Sequence, residues 1–570
     1  MVLSVFGARL VQLQGFDPHS YAAAAAAENV VNVVLPASRG DILDRDGNAL
    51  ADSADGLMVL ADPSQTSADA PAIAAYLAKT LKVDYASTLT KLRKQGSRFQ
   101  YIARRVPATQ ATAAVSRATE STDDGGLGFK GLWTSRDPLR EYPNGDTAAN
   151  LVGFMGNDGP LAGLELAFDR HLAGKDGHAE YDATSPVSGT RMPLGTNHRV
   201  DPVNGKNLKL TIDRDLQYYV QQTLMKAVQD SRAASGMAVV EDSRTGELLS
   251  VADYPTFDAR DPAASPKGDR GAASISNVYE PGSVEKVLTL SALIDQGKVS
   301  PSTQLVVPPA YNRKGDYPIH DETPHGTEHL TLAGVLAKSS NIGTVEASDR
   351  FPEGVLRSYL VKFGLGQRTG IGLTTESPGL LQSPSVWNTG DENRIDFGQS
   401  LSVNAVQMTA AINTIANGGV RIDPSLIDGH ATNNAGEEVG TDTATRHRVV
   451  SAKAAAEMSA MMERVVAPGI GTAPKAAVPG YRVAGKTGTA EEPNPKSGSY
   501  KDGTTTVSFG GFAPTDKPRF TVYVVVHSPH NGGGGGSIAG PVFSKIMGFA
   551  LRRYGVPPTG TQPSTLPVTW

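Results

Sequence analysis

Apolar and polar positions alternate over Asn29–Leu60, "NVVNVVLPASRGDILDRDGNALADSADGLMVL", and turn residues such as Asp46-Gly47-Asn48 interrupt the run. That period predicts strands joined by tight turns. From Ala68 to Gly96 the spacing becomes helical, Phe99–Val106 reads as a short strand, and Ala108–Ala118 as another helix. Together these segments predict a mixed α+β module. "GPLAGLELAFDRHLAGKDG" reads as a helix between glycine turns, and the pattern resets at Asp201–Asn207, where the main domain boundary is expected. A strand, "LKLTID", and a long helix from near Asp213 follow. Gly236–Ala252 reads as a hairpin, Pro518–Ser528 as a strong strand and Ile538–Tyr554 as an amphipathic helix. Strands at both ends with helices between predict an α/β sandwich closed by distant segments. Glycines 532–536 read as a loop, and the Pro/Thr-rich stretch after Gly555 as a disordered tail.

Composition narrows this picture in a few places. With 570 residues and 39% hydrophobic content, the chain can bury more than one core. A net charge of -5 with scattered basic residues gives no footprint for nucleic acid. The absence of cysteine excludes disulfides and cysteine-ligated metals. The apolar run Val2–Ala8, closed by Arg9, is too short to span a bilayer and lacks the features of a signal peptide. It reads either as an ordinary buried helix end or as the remnant of a membrane anchor.

Candidate chemistry begins in "NVYEPGSVEKVLTLSAL", Asn277–Leu293. Pro281 and Gly282 break the chain, Ser283 reads as a helix N-cap, and an apolar face follows. Lys286 is then out of place, because the positive end of a helix dipole disfavours an ammonium. Serine and lysine spaced i, i+3 share a helix face, and burial or dipole repulsion lowers a lysine pKa toward that of a usable base. Glu285 points about 100° from its neighbour on a helix and is expected to face away. "LAKSSNIG" adds the hydroxyl of Ser339 and the amide of Asn341, and "YRVAGKTGTAEE" adds Lys486, Thr487, Gly488 and Thr489 on a predicted strand, suited to a carboxylate. A second S-x-N, Ser402–Asn404, reads as the start of a core helix. His320, His325 and His329 in "HDETPHGTEH" could suggest a metal, but Pro324 and Gly326 make the segment a loop, read as bordering the cleft.

In this order, S-x-x-K, S-x-N and K-T-G resemble the motifs of the penicillin-binding serine D,D-transpeptidases. "SRGDILDRDGNALA", "REYPNGDTAANLVGF" and "GLELAFDRHLAGKDG" are similar to the N-terminal pedestal of the class B, membrane-anchored members. The resemblance implies an α/β multi-domain chain: an anchor remnant at 1–14, an α+β pedestal of dimerisation type at 15–205, a serine β-lactamase-like transpeptidase domain at 206–556 and a disordered tail at 557–570. That last domain would have an antiparallel sheet with helices on both sides. The resemblance also implies that Ser283 attacks the penultimate D-Ala of a stem peptide, with Lys286 as general base. Ser339 would relay the proton to the leaving amine and Asn341 would hold Lys286 and the substrate amide. Backbone N–H groups of Ser283 and Thr489 would form the oxyanion hole, and Lys486, Thr487, Gly488 and Thr489 would bind the terminal carboxylate. No metal or cofactor is implied. The partners implied are stem peptides and lipid-linked precursors, β-lactams as covalent inhibitors, a membrane glycan polymerase of the SEDS family and other divisome proteins. "SSNIG" is similar to septal rather than elongation enzymes, with an elongation role or a mainly scaffolding role as the alternatives. The catalytic part would be extracytoplasmic on a single-pass anchor.

Overall fold

The computed structural model describes residues 2–12, 30–156, 158–182, 197–313, 317–352, 354–387, 389–493 and 500–570. They form two compact units. One contains residues up to 41, 51–141 and 170–207; the other contains 42–50, 142–169 and 208–570. Segments 42–50 and 142–169 therefore pack with the C-terminal unit although they precede the boundary expected near Asp201–Asn207.

In the first unit, strand Gly56–Ala61 lies between Gln100–Pro107 and Leu132–Arg136, antiparallel to both. Helices Ala70–Leu81, Tyr85–Leu92 and Ala108–Thr119 complete its core, in which Val59, Ile73, Leu77, Leu92 and Ala111 are wholly buried. A separate antiparallel sheet joins Val30–Leu35, Gly177–Asp182 and Asn197–Val200. Helix Val2–Val11 exposes Val5, Phe6, Leu10 and Val11, so it is not a buried helix end. "LVQLQGFDP" runs beyond this helix, largely outside the described residues. Among the described residues no helix is long and apolar enough to cross a membrane.

The second unit is built on one five-stranded antiparallel sheet, in the order Leu248–Tyr254, Ser235–Asp242, Phe520–His527, Tyr500–Ala513, Ala484–Pro493. The expected hairpin, at Ser235–Asp242 and Leu248–Tyr254, pairs through its first strand with Phe520–His527, far later in the chain, as the sandwich reading requires. Helices Arg214–Asp230 and Ala539–Arg553 cover one face; Phe509 meets Phe543 there at 4.7 Å between ring centres. Helix Ala405–Ala416 covers the other, where Gly510 leaves room for Ile412. All of its residues are buried, as expected of a helix surrounded by core. Asn404 caps this helix in a reciprocal pair with Gln407, which accounts for the second S-x-N.

Residues 557–570 correct the expectation of a disordered tail. Their composition supports no element of its own, but their backbone groups find partners on the domain. Ser564 N–H donates to Glu463 at 2.7 Å, Arg464 donates to Ser564 O at 2.8 Å, and Thr331 Oγ1 donates to Pro567 O at 2.6 Å. Trp570 Nε1 donates to Leu305 O and Leu330 O. A Cβ at Gly334 would stand 1.9 Å from Val568 O. Gly334→Ala is accordingly expected to unseat the tail and destabilise the domain by roughly 1–3 kcal/mol, measured by urea unfolding; unchanged stability would mean the tail contributes nothing there.

Candidate active site

Ser283 does not cap its helix. It sits inside a single 3-10 turn, Gly282–Val284, and the α-helix proper, Lys286–Asp295, begins with the lysine. The turn is held by Gly282 N–H donating to Gly398 O at 2.9 Å. Gly282 has φ +55° and presses against Thr489 O, while a side chain at Gly488 would collide with Pro281 O and Ser508 Oγ. Small residues on both partners thus let the serine turn and the strand Ala484–Pro493 meet closely. That strand is the edge of the sheet.

Helix Leu332–Lys338 ends at Ser339, whose φ of +64° is left-handed and strained for a residue with a Cβ. Ser340 then caps the next helix, Asn341–Ser348, accepting from Gly343 N–H at 2.9 Å. The abrupt reversal turns the carbonyl of Ser339 to one lysine and its hydroxyl to another. Lys286 Nζ donates to Ser339 O at 2.6 Å and to Asn341 Oδ1 at 2.7 Å. Lys486 Nζ donates to Ser339 Oγ at 2.8 Å, and also to Thr487 O and Oγ1. Thr487 Oγ1 lies 3.0 Å from Thr472 Oγ1, a partner that no sequence feature pointed to.

Both lysines are wholly buried. Burial lowers the Lys286 ammonium from 10.5 to about 7, against the opposing charges of Asp321, Glu322 and Glu285. Burial also pushes Lys486 well below the usual range, and the Lys286 charge adds to this while Glu322 opposes it. Glu285 is buried too and makes its hydrogen bond with Thr289 Oγ1, at 2.6 Å, rather than with Lys286. Burial raises its pKa well above the carboxylate range, with Asp396 adding to the rise. Its carboxyl is thus shifted toward the neutral form, which weakens its hold on the Lys286 proton.

The structure thus brings Lys286, Ser339, Asn341, Lys486 and Thr487 into one hydrogen-bonded cluster beside the turn bearing Ser283, with Gly488 and Thr489 packed against that turn. Loop residues 320–325 border it: Asn341 Nδ2 donates to His320 O, and Asp321 accepts from the Asn341 N–H. Gly534 of the glycine loop faces Thr489 Oγ1 and Glu322. Among the described residues, no group of three or more His, Asp or Glu side chains is placed to hold a metal.

The cluster beside the turn bearing Ser283 holds two buried amines, an arrangement that fits the class of serine-type acyltransferases. Residues 236–548 match the model of the penicillin-binding protein transpeptidase domain, and 34–160 match that of the penicillin-binding protein dimerisation domain. The chain belongs to the penicillin-binding proteins and is a peptidoglycan D,D-transpeptidase. It is 35% identical to penicillin-binding protein PbpB of Mycolicibacterium smegmatis, over 100% of this chain and 91% of that one. It is 32% identical to peptidoglycan D,D-transpeptidase FtsI of Escherichia coli, over 91% and 84% respectively. Penicillin-binding protein 3 of Mycobacterium tuberculosis, solved with aztreonam, superposes with a TM-score of 0.71 at 32% identity, covering 94% of this chain and 100% of that one.

A stability consequence follows from the buried lysine. Between pH 7 and 10.5 the unfolded chain holds a proton on Lys286 that the folded protein has released, so the cost of burying this side chain falls as pH rises. Lys286→Met is expected to stabilise the protein most near neutrality, and the advantage should shrink by on the order of 4 kcal/mol toward pH 10.5. Denaturant melts across this range measure it; a pH-independent difference would contradict the lowered pKa.

Proposed function

We propose that Ser283 is the nucleophile of peptidoglycan cross-linking and Lys286 its general base. The observation that carries this reading is how the Lys286 amine is held. A neutral amine has two N–H donors, and both are engaged, by Ser339 O and Asn341 Oδ1. Its lone pair is left to accept the proton of a serine one turn away on the same face.

In this reading Ser283 Oγ attacks the penultimate D-Ala carbonyl of a stem peptide, and its proton passes to Lys286 Nζ. The oxyanion is met by backbone N–H groups of Ser283 and Thr489. As the C–N bond breaks, the proton returns from Lys286 through the Ser339 hydroxyl to the departing D-Ala amine. The stem peptide pairs along the edge strand Ala484–Pro493 by β-augmentation. Its terminal carboxylate is held by Lys486, Thr487 and Thr489, with Gly488 allowing close backbone approach. That anion adds negative charge beside Lys486, which burial otherwise shifts toward the neutral form. An amine of a second stem peptide then attacks the acyl-enzyme, forms the cross-link and frees Ser283. A β-lactam stops at the acyl stage by the same attack.

The relatives PbpB and FtsI, together with "SSNIG" at the second motif, support a septal role. In this role the N-terminal helix Val2–Val11 belongs to a membrane anchor, the catalytic part is extracytoplasmic, and the partners are a SEDS-family glycan polymerase and other divisome proteins. Exposed Val5, Phe6, Leu10 and Val11 on the first helix support that anchor.

Peptide mapping by mass spectrometry after treatment with labelled penicillin is expected to show one adduct, on Ser283, and none on Ser283→Ala. Lys286→Ala should acylate about 10³-fold more slowly. Label elsewhere, fast turnover of penicillin, or wild-type acylation by Lys286→Ala would refute the assignment. In cells, depletion should block septation; intact septa with altered cell width would point to elongation instead.

A further inference from the structure

We propose that Asp321 and His325 are positioning residues for acylation, holding Asn341 so that its amide oxygen, and not its nitrogen, faces Lys286. This rests on the reading that Ser283 is acylated with Lys286 as base.

Asp321 Oδ1 accepts hydrogen bonds from the N–H groups of Asn341 at 2.6 Å and Ile342 at 3.0 Å, the first two residues of helix Asn341–Ser348. The neighbouring carbonyl of His320 accepts from Asn341 Nδ2 at 2.9 Å. With its amino group committed there, the amide of Asn341 can offer Lys286 only Oδ1, 2.7 Å from Nζ. Were the amide reversed, two donors would face each other. Lys286 would then lose one of the two acceptors that aim its lone pair.

The loop is fixed in turn by His325. Its Nε2 lies 3.0 Å from Asp321 Oδ2, and its Nδ1 faces Gly326 O. Both ring nitrogens thus meet acceptors. A neutral imidazole donates from one nitrogen only, so the protonated ring alone satisfies both contacts. The His325 and Asp321 side chains are 14% and 10% exposed, which shields the pair from solvent screening.

The charged groups acting on His325 are Asp321 on its own loop and Glu328 on the strand Glu328–Thr331. Glu328 is itself bound by Lys338 at 2.6 Å from the following helix. Beyond Asp321 stands Lys286, whose ammonium form Asp321 favours. Loss of the His325 proton therefore acts twice: it removes one of the two hydrogen bonds that the His325 ring makes, and it leaves the charge of Asp321 uncompensated beside Lys286. Both effects slow a reaction that needs the neutral amine.

The test is acylation of the full chain by a fluorescent penicillin between pH 6 and 9, for the wild type, His325→Gln, Asp321→Asn and Asp321→Ala. The saturating acylation rate is expected to fall roughly 10-fold in His325→Gln and Asp321→Ala, with half-saturating penicillin unchanged in both and melting temperature unchanged in His325→Gln. Asp321→Asn keeps an acceptor for the helix N–H groups and should recover part of the loss. In the wild type the deprotonation of His325 should lower the rate, and the pH profile of His325→Gln should lack that component. Variants that keep the wild-type rate and pH profile would overturn the proposal. So would losses that merely follow a lowered melting temperature. A wild-type protein that is not acylated on Ser283 would instead refute the functional reading on which the proposal rests.

Discussion

Two lysine side chains are buried against one serine residue, and the rest of the site is arranged around that constraint. Removing an ammonium from water is costly unless acceptors replace the lost hydration. Ser339 serves both lysines, giving its carbonyl to Lys286 and its hydroxyl to Lys486. It does so only because it adopts the left-handed conformation between two helices. Burial that is partly compensated in this way leaves Lys286 poised near neutrality, where it can both take and return a proton.

The sheet explains why residues so far apart in sequence converge. The hairpin near residue 240 and the strands near 490–525 belong to one antiparallel sheet, which carries the K-T-G segment on its edge. The serine turn closes against that edge through Gly282 and Gly488, and helix Lys286–Asp295 continues into the core. Every residue of this helix except its last is buried, so the position of Lys286 is set by core packing as much as by its own hydrogen bonds. An edge strand with hydroxyls and an unpaired side is also what an extended peptide needs in order to add itself to the sheet.

Much of this was legible in the sequence because it is local. Helix and strand periods located Arg214–Asp230, the Ser235–Tyr254 hairpin and Phe520–His527, and the motifs named Ser283, Lys286, Ser339, Asn341 and Lys486. The charge at Lys286, out of place at a helix start, marks it in the sequence as a candidate base. What escaped depends on tertiary contacts. Burial shifts Glu285 toward its neutral form, which its neighbours in sequence do not reveal. Ser283 fails to cap because a 3-10 turn intervenes. The tail beyond Gly555 lacks any periodic pattern, and groups offered by the domain, among them Glu463, Arg464, Thr331 and Leu330, order it. Thr472 reaches the site from a loop with no helical or strand register to announce it, and the His320–His329 loop was legible as bordering the cleft while the pairing of His325 with Asp321 was not.

The central claim is that Lys286 is a neutral amine over much of the physiological range, and titration of that one side chain tests it most directly. Following the ε-carbon of isotopically labelled lysine by NMR, with Lys286→Met to assign the signal, should show a midpoint near pH 7. A midpoint near 10.5, the value of an ordinary lysine, would contradict the account.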